Sequence, residues 1–353
     1  MTGNLQAAQG FWGVPAYQAL PAGGSGVLGP GAVLDIGRDR YALTRLAVAA
    51  IPAAAASELA ALSACSFEKL ITFTRSATAT YVGSDGLIHS AAANAPRFDH
   101  TNGRRQLLLE GPATNLLLNS AVLSTQSVAV PAATYTLSFY GTGSVTLAGA
   151  SSGSLSGFGS TTRVSLTFVA TAGALTMTVA GSVANAQLES GSRASSYIPT
   201  TGSAATRPAD SARLTDAAAE LVRRDAVSIL VQAFQPFETG STRRWMGTSY
   251  TILGLDTGKK PSQWDGAGPL LSVSSGVNDQ VDLGFGVAWD GSGRRMSIAG
   301  ASAGDAHQPA FTGNVFLGRD NSGNFAPGWY DQLIIWPFRM TNADLAAKAA
   351  AYT

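Results

Sequence analysis

Strict two-residue alternation in short runs, broken by glycine and serine, constrains this chain more than any other feature. Tyr135, Leu137 and Phe139 alternate with Thr134, Thr136 and Ser138. Val145 and Leu147 follow, then Val164, Leu166 and Phe168, then Leu175, Met177 and Val179. A period of two puts one set of side chains on one face of a pleated strand, so these runs predict half-buried antiparallel strands. No helical crossovers separate them, which favours a sandwich over a parallel sheet. The same pattern returns at Val281, Leu283, Phe285, Val287 and Trp289. There Asp290-Gly291-Ser292-Gly293 turns the chain into RRMSIAG. The reading is mainly β: two antiparallel β-sandwich (jelly-roll) domains, over 121–210 and 211–353.

The chain before residue 121 is of another kind. Residues 1–65 read as an attachment arm, with Phe11, Trp12 and Tyr17 set among Gly and Pro. Such aromatic residues have little of their own segment to bury against, so a partner or the later domains must cover them. Pro52 followed by AAAASELAALSA predicts one short helix. Residues 66–120 read as a neck of two hairpins. Tyr81–Val82 and Leu87–Ile88 flank a turn with Asp85-Gly86, and Arg97–Asp99 and Gln106–Leu109 flank one with Asn102-Gly103. Two helical segments are expected later: Asp216–Arg224, and LAAKAAA behind the capping pattern Thr341-Asn342-Ala343-Asp344.

Composition narrows the function. Charged residues make up 13% of the chain and the formal net charge is +1, so nothing attracts it broadly to nucleic acid or anionic membrane. The single cysteine, Cys65, excludes an internal disulfide and reads as a small buried hydrophobe. His89, His100 and His307 are too scattered for a His/Cys metal cluster. The N-terminus lacks the charged and apolar regions of a signal peptide, and the longest apolar stretch, Ala47–Ala64, is interrupted. These features point to a soluble protein assembled in a cytoplasm.

Three segments resemble a known family. FTRSATATYV, SDGLI, AAANAPRFD and LLLEGPATNLLLNS, within residues 73–120, are similar to a motif of tailed-phage fibre and spike proteins. Ala186–Asp210 (AQLESGSRASSYIPTTGSAATRPAD) resembles the segment that closes the first β-module in those proteins. Leu317–Ala347 is similar to the last strands and helix of concanavalin A-like (laminin-G-like) sandwiches. The resemblance implies a virion protein, a head or tail fibre or spike of a phage or gene transfer agent. Its arm would dock on other virion proteins, its copies would form a homo-oligomer, and its sandwiches would meet host surface polysaccharide. Sandwiches of this class sometimes carry calcium; Asp320-Asn321-Ser322-Gly323-Asn324 is an oxygen-rich loop but equally an ordinary turn, and no cofactor is expected.

Candidate binding residues follow from sugar chemistry. A glycan site combines an exposed ring for the apolar sugar face with polar groups for the hydroxyls. Trp289 and Trp336 fall in apolar runs and read as core, whereas Trp245, Tyr250 and Trp264 lie nearer turns. Arg243, Arg244, Arg294 and Arg295 form pairs that could hold acidic polysaccharide in a fork geometry, or simply cap strand ends. Glu110 and Glu189 read as hydrogen-bonded structural carboxylates, and no nucleophile elbow occurs. The expectation is attachment without catalysis. A capsid decoration or adaptor protein and a polysaccharide-degrading spike are the alternatives.

Overall fold

The computed structural model describes residues 31–44, 62–235, 242–274, 276–277 and 281–351. Phe11, Trp12, Tyr17 and most of the helix expected after Pro52 lie outside these residues. The architecture is mainly β, with two antiparallel sandwiches.

The first sandwich pairs a four-stranded sheet with a three-stranded one. The four-stranded sheet runs in the order Gln126–Val130, Gly173–Ala180, Ser144–Gly149, Gly153–Ser156; the other runs Gly159–Ala170, Ala133–Gly141, Ala184–Ser190. The alternation predicted here is observed. Tyr135, Leu137, Phe139, Val145, Leu175 and Met177 fill a core with Leu188, each nearly or wholly without solvent contact. The opposite face is not simply solvated, because Thr136 and Ser138 are buried too. Thr136 Oγ1 bonds Thr167 Oγ1 at 2.9 Å and donates to Gly191 O at 2.9 Å, so the loop after residue 190 covers that face.

The second sandwich is larger, and its strands come from distant parts of the chain. One sheet runs Ala301–Asp305, Gly293–Ile298, Val281–Asp290, Val227–Gln235, Gly328–Trp336, Ala32–Asp35, Arg40–Thr44, Leu62–Ala64. Gln106–Leu109 joins it by pairing Leu109 with Gly328, and Phe98–Asp99 pairs with Gln106–Leu109 in turn. The facing sheet runs Leu271–Ser272, Pro261–Trp264, Thr251–Leu255, Arg243–Gly247, Phe316–Leu317, Ser211–Leu214, Ile71–Thr74. Its core unites Leu34, Ile36, Ile71, Leu107 and Leu109 with Ile229, Trp245, Phe285 and Ile335.

These pairings correct the expected divisions at residues 65 and 120. Ala32–Thr44 is sheet rather than arm, with Ala32 opposite Ile335 and Asp35 opposite Gln332. Leu62–Ala64 is a strand rather than the end of a helix. The first sandwich is an insertion: Ala113–Asn115 leads into it, Ala205–Arg207 leads out, and the two pair with each other. The hairpin expectations hold. Ala79–Val82 pairs with Ile88–Ala91 across a turn with Gly86 at φ 76°, and the second turn has Gly103 at φ 75°.

Both helices form where expected. Thr215 Oγ1 accepts from Ala218 N to open Asp216–Val222, and Thr341 Oγ1 accepts from Asp344 N to open Asn342–Ala350. The second packs on the outer face of Val281–Asp290. A Cβ on Gly284 would lie 2.3 Å from Ala349 O, so glycine lets helix and sheet approach. That strand is therefore covered on both faces. Among the described residues, no helix is long and apolar enough to cross a membrane.

Candidate functional site

Two of the expected binding residues form an exposed aromatic pair. Tyr250 ends the turn Thr248–Tyr250, and Trp264 closes the strand Pro261–Trp264; Thr251 and Trp264 are cross-strand partners. The rings meet edge to face with centroids 5.4 Å apart and planes at 79°. Tyr250 keeps 38% of its surface in solvent and Trp264 39%.

The loop beneath them is rigidly built. Trp264 Nε1 donates to Gly268 O at 3.0 Å, fixing the indole. Gly266 has φ 88°, and a Cβ there would lie 2.4 Å from the Tyr250 ring, so the ring rests on bare backbone. Buried Asp265 accepts from the amides of Ala267 (3.2 Å), Gly268 (3.1 Å) and Ala310 (3.1 Å), and bonds His307 Nε2 at 2.9 Å. Burial pushes this carboxyl up, but the amides and the His307 ring outweigh it and hold it well below the usual range. Two half-exposed rings at a right angle, on a loop that cannot readily rearrange, suit the apolar face of a flat polar ligand.

The other expected residues are not part of that surface. Trp245 is core: wholly buried, 5.9 Å from Phe285 and 6.4 Å from Tyr330, with Nε1 donating to Gln235 Oε1 at 2.7 Å. Trp245 shares the inward face of its strand with Arg243, across the partly exposed Arg244. Arg243 is buried as well. Arg244 lies 3.5 Å from Asp320 Oδ2. Arg294 forks onto Asp305 with both bonds at 2.8 Å and donates to Pro269 O at 2.5 Å, bracing the aromatic loop from behind. Arg295 donates to Ser302 Oγ at 2.6 Å. The guanidinium pairs are thus braces rather than a ligand cradle.

The loop Asp320–Asn324 behaves as a turn. Asp320 is buried, accepts from Asn324 N and Nδ2 at 3.0 and 2.6 Å, and pairs with Arg244. Its oxygens face internal donors, so a calcium ligand set is not assembled there. No group of three or more His, Cys, Asp or Glu side chains arranged to hold a metal occurs among the described residues.

A second constellation was missed in the sequence. Arg75, Arg97, Arg207, Glu110 and Asp210 are all nearly without solvent contact, where the two sandwiches meet. Arg75 Nη1 lies 3.0 Å from Asp210 Oδ1, Arg97 Nη2 bonds Asp210 Oδ2, and Arg97 Nη1 lies 2.8 Å from Glu110 Oε2. Arg207 Nη2 approaches the same Glu110 oxygen at 3.5 Å. Glu110 also accepts from Ser196 N (2.9 Å) and Oγ (2.7 Å), while Glu189 accepts from Ser195 N and from Ser195 Oγ (2.7 Å). Burial would raise the Glu110 carboxyl, yet Arg207, Arg97 and Arg193 hold it well below the usual range; burial leaves Glu189 raised. The expectation of hydrogen-bonded carboxylates at Glu110 and Glu189 matches these contacts. An arginine lone in its stretch (Arg75 in FTRSATATYV) and arginines with an aspartate close by (Arg97 in NAPRFD, Arg207 in ATRPAD) were the available signal.

No protein-family model matches the chain, and no curated protein sequence matches it. Among solved structures, Trypanosoma rangeli sialidase is similar at 9% identity and a TM-score of 0.32, over 38% of this chain and 25% of that one. The CBM40 module of the Ruminococcus gnavus IT-sialidase, bound to α2,3-sialyllactose, is similar at 14% identity and a TM-score of 0.32, over 38% of this chain and 86% of that one. Leech intramolecular trans-sialidase follows at 12% identity and a TM-score of 0.33, over 39% and 25%. The chain thus spans about a quarter of the length of the sialidases it matches. The expectation of a protein without catalysis is corrected by these neighbours, several of which are enzymes, and it is not carried forward. At such TM-scores, however, neither an activity nor a ligand passes to this chain.

Proposed function

We propose that the chain is a fibre or spike protein of a tailed phage or phage-like particle that attaches to host cell-surface carbohydrate. The observation that carries the carbohydrate reading is the Tyr250–Trp264 pair, two half-exposed rings at 79° on a loop pinned by Asp265. Rings so placed offer the C–H face of a sugar an apolar surface, and the pinned loop loses little entropy on binding.

The virion reading rests on the resemblance of residues 73–120, 186–210 and 317–347 to fibre and spike proteins. The first two segments supply Arg75, Arg97, Glu110, Glu189, Arg207 and Asp210, which supports reading them as the joint on which the modules are mounted. Self-association of copies is supported by Phe158, Val169 and Val122, which are exposed on a first sandwich that carries very little charge. Several copies would add weak sugar contacts through avidity.

A glycan array probed with the full chain tests the attachment role. Binding to host surface glycans is expected, with loss on Trp264→Ala in protein that thermal unfolding shows to be still folded. Failure to bind any host glycan overturns it. Immunogold labelling of particles tests the virion assignment, and particles without label overturn that part separately.

A further inference from the structure

Where the two sandwiches and the hairpin Ala79–Ala91 meet, a pocket of about 200 Å³ opens. Its walls include three aromatic side chains from three parts of the fold: Tyr81 of the hairpin, Tyr140 of the first sandwich and Trp329 of the second. Thr101, Ser165 and Arg163 supply polar atoms between them. None of these residues belongs to the Tyr250–Trp264 face.

The rings are fixed. Trp329 Nε1 donates to Asp99 Oδ1 at 2.7 Å, and the Phe234 ring meets Trp329 edge to face at 5.8 Å. Tyr81 lies against His89 at 5.7 Å. The polar atoms, by contrast, are left open. Among the described residues, the hydroxyls of Tyr81, Tyr140, Thr101 and Ser165 make no hydrogen bond. Arg163 is held by Ser195 O at 2.5 Å and Ser138 Oγ at 2.8 Å, yet its Nε is buried without a partner.

We propose that this pocket binds one neutral pyranose ring, as a carbohydrate site separate from the exposed face. The aromatic walls match the C–H face of a sugar, and the four open hydroxyls match its ring of hydroxyl groups. A purely apolar ligand would leave those groups unpaired. An anionic ligand would face the carboxylates of Asp99 and Glu110, which line the same pocket. The volume lies below the roughly 300 Å³ at which pockets for drug-sized ligands begin, so a single ring fits and a longer glycan would extend into solvent. Because the walls come from all three parts, an occupied pocket also ties them together.

The full chain carrying Trp264→Ala is titrated with glucose, galactose and mannose by saturation-transfer difference NMR. Saturable transfer to at least one hexose is expected. Ser165→Trp, at an exposed strand position beside the pocket, should abolish it by filling the mouth. Tyr140→Phe, which removes one hydroxyl and no bulk, should weaken it by about tenfold. Thermal unfolding confirms that each variant folds, and Tyr140→Phe decides if Ser165→Trp does not. No saturable transfer to any hexose overturns the proposal; so does transfer that survives the folded blocking variant or is unchanged in Tyr140→Phe. Failure here leaves array binding by the unaltered chain untouched, and failure of the exposed face leaves this titration unaffected.

Discussion

The two sandwiches solve the same architectural problem with different materials. Between Ala121 and Ala204 the first carries only Arg163, Glu189 and Arg193, and all three lie toward the joint. Its core is aliphatic and aromatic, and all its paired strands lie within residues 126–190, although only Ser144–Gly149 and Gly153–Ser156 are paired neighbours in sequence. The second draws strands from residues 32 to 336 and, where it meets the first, is locked by the buried Arg75–Asp210–Arg97–Glu110 chain. Apolar burial is non-directional, so it suits a module whose strands all come from one short stretch of chain. Ion pairs with fixed geometry add register where pairings span hundreds of residues, provided both partners stay matched.

The largest expected effect comes from unmatching that chain. Arg97→Met should leave Asp210 and Glu110 short of a cation and cost about 3–5 kcal/mol, read as a lower urea midpoint. No tryptophan lies within 121–204, whereas Trp245, Trp264, Trp289, Trp329 and Trp336 lie in the second sandwich, so indole fluorescence reports on that sandwich and not on the first. A midpoint shift below about 1 kcal/mol would show that the ionic joint is not what holds that module. Leu137→Ala should cost about 2–5 kcal/mol in the first sandwich. Hydrogen exchange should quicken in Ala133–Gly141 and Gly159–Ala170 while indole fluorescence barely moves; a matching loss in both modules would mean that they unfold as one.

Acid should separate the modules next. A carboxylate held below its ordinary value contributes stability above that value and loses it as pH falls; Glu110 and Asp265 are of this kind, with ordinary values of 4.5 and 3.8. Glu189, raised by burial, works in reverse: its contribution is present at low pH and lost as pH rises through its folded value. The second sandwich should therefore weaken as pH drops below about 4.5. Exchange protection in the first sandwich's core should outlast it. Simultaneous acid loss in both would break the comparison. The smallest effect belongs to Thr341→Ala, which removes the cap of Asn342–Ala350 and should cost about 1 kcal/mol, seen as fraying of that helix by exchange.

Much of the first sandwich was legible because its information is local: alternation names the inward faces of Tyr135, Leu137 and Phe139, and glycine marks the turns. The second was legible only in pieces. Val281–Trp289 and the cap at Thr341 could be read, but nothing in Ala32–Asp35 announces a partner at Gln332–Ile335, because strand pairing leaves no trace in either segment alone. Trp245 misled because its neighbourhood reads as a turn, whereas it sits inside the strand Arg243–Gly247 on the inward face. Tyr250 and Trp264 were found because turns expose what they carry. Arg75, Arg97 and Arg207 were overlooked because a lone arginine looks solvated until its carboxylate, a hundred residues away, is brought to it.

The pairing of Ala113–Asn115 with Ala205–Arg207 has a mechanical consequence. Both ends of the inserted module leave through one closed stem, so a pull between residues 31 and 351 runs through the second sandwich and bypasses the first. The inserted module is a side branch rather than a link in the chain. Tension applied at the Tyr250–Trp264 face would load only the sheets that carry it, and the first sandwich would feel none until the stem itself opened.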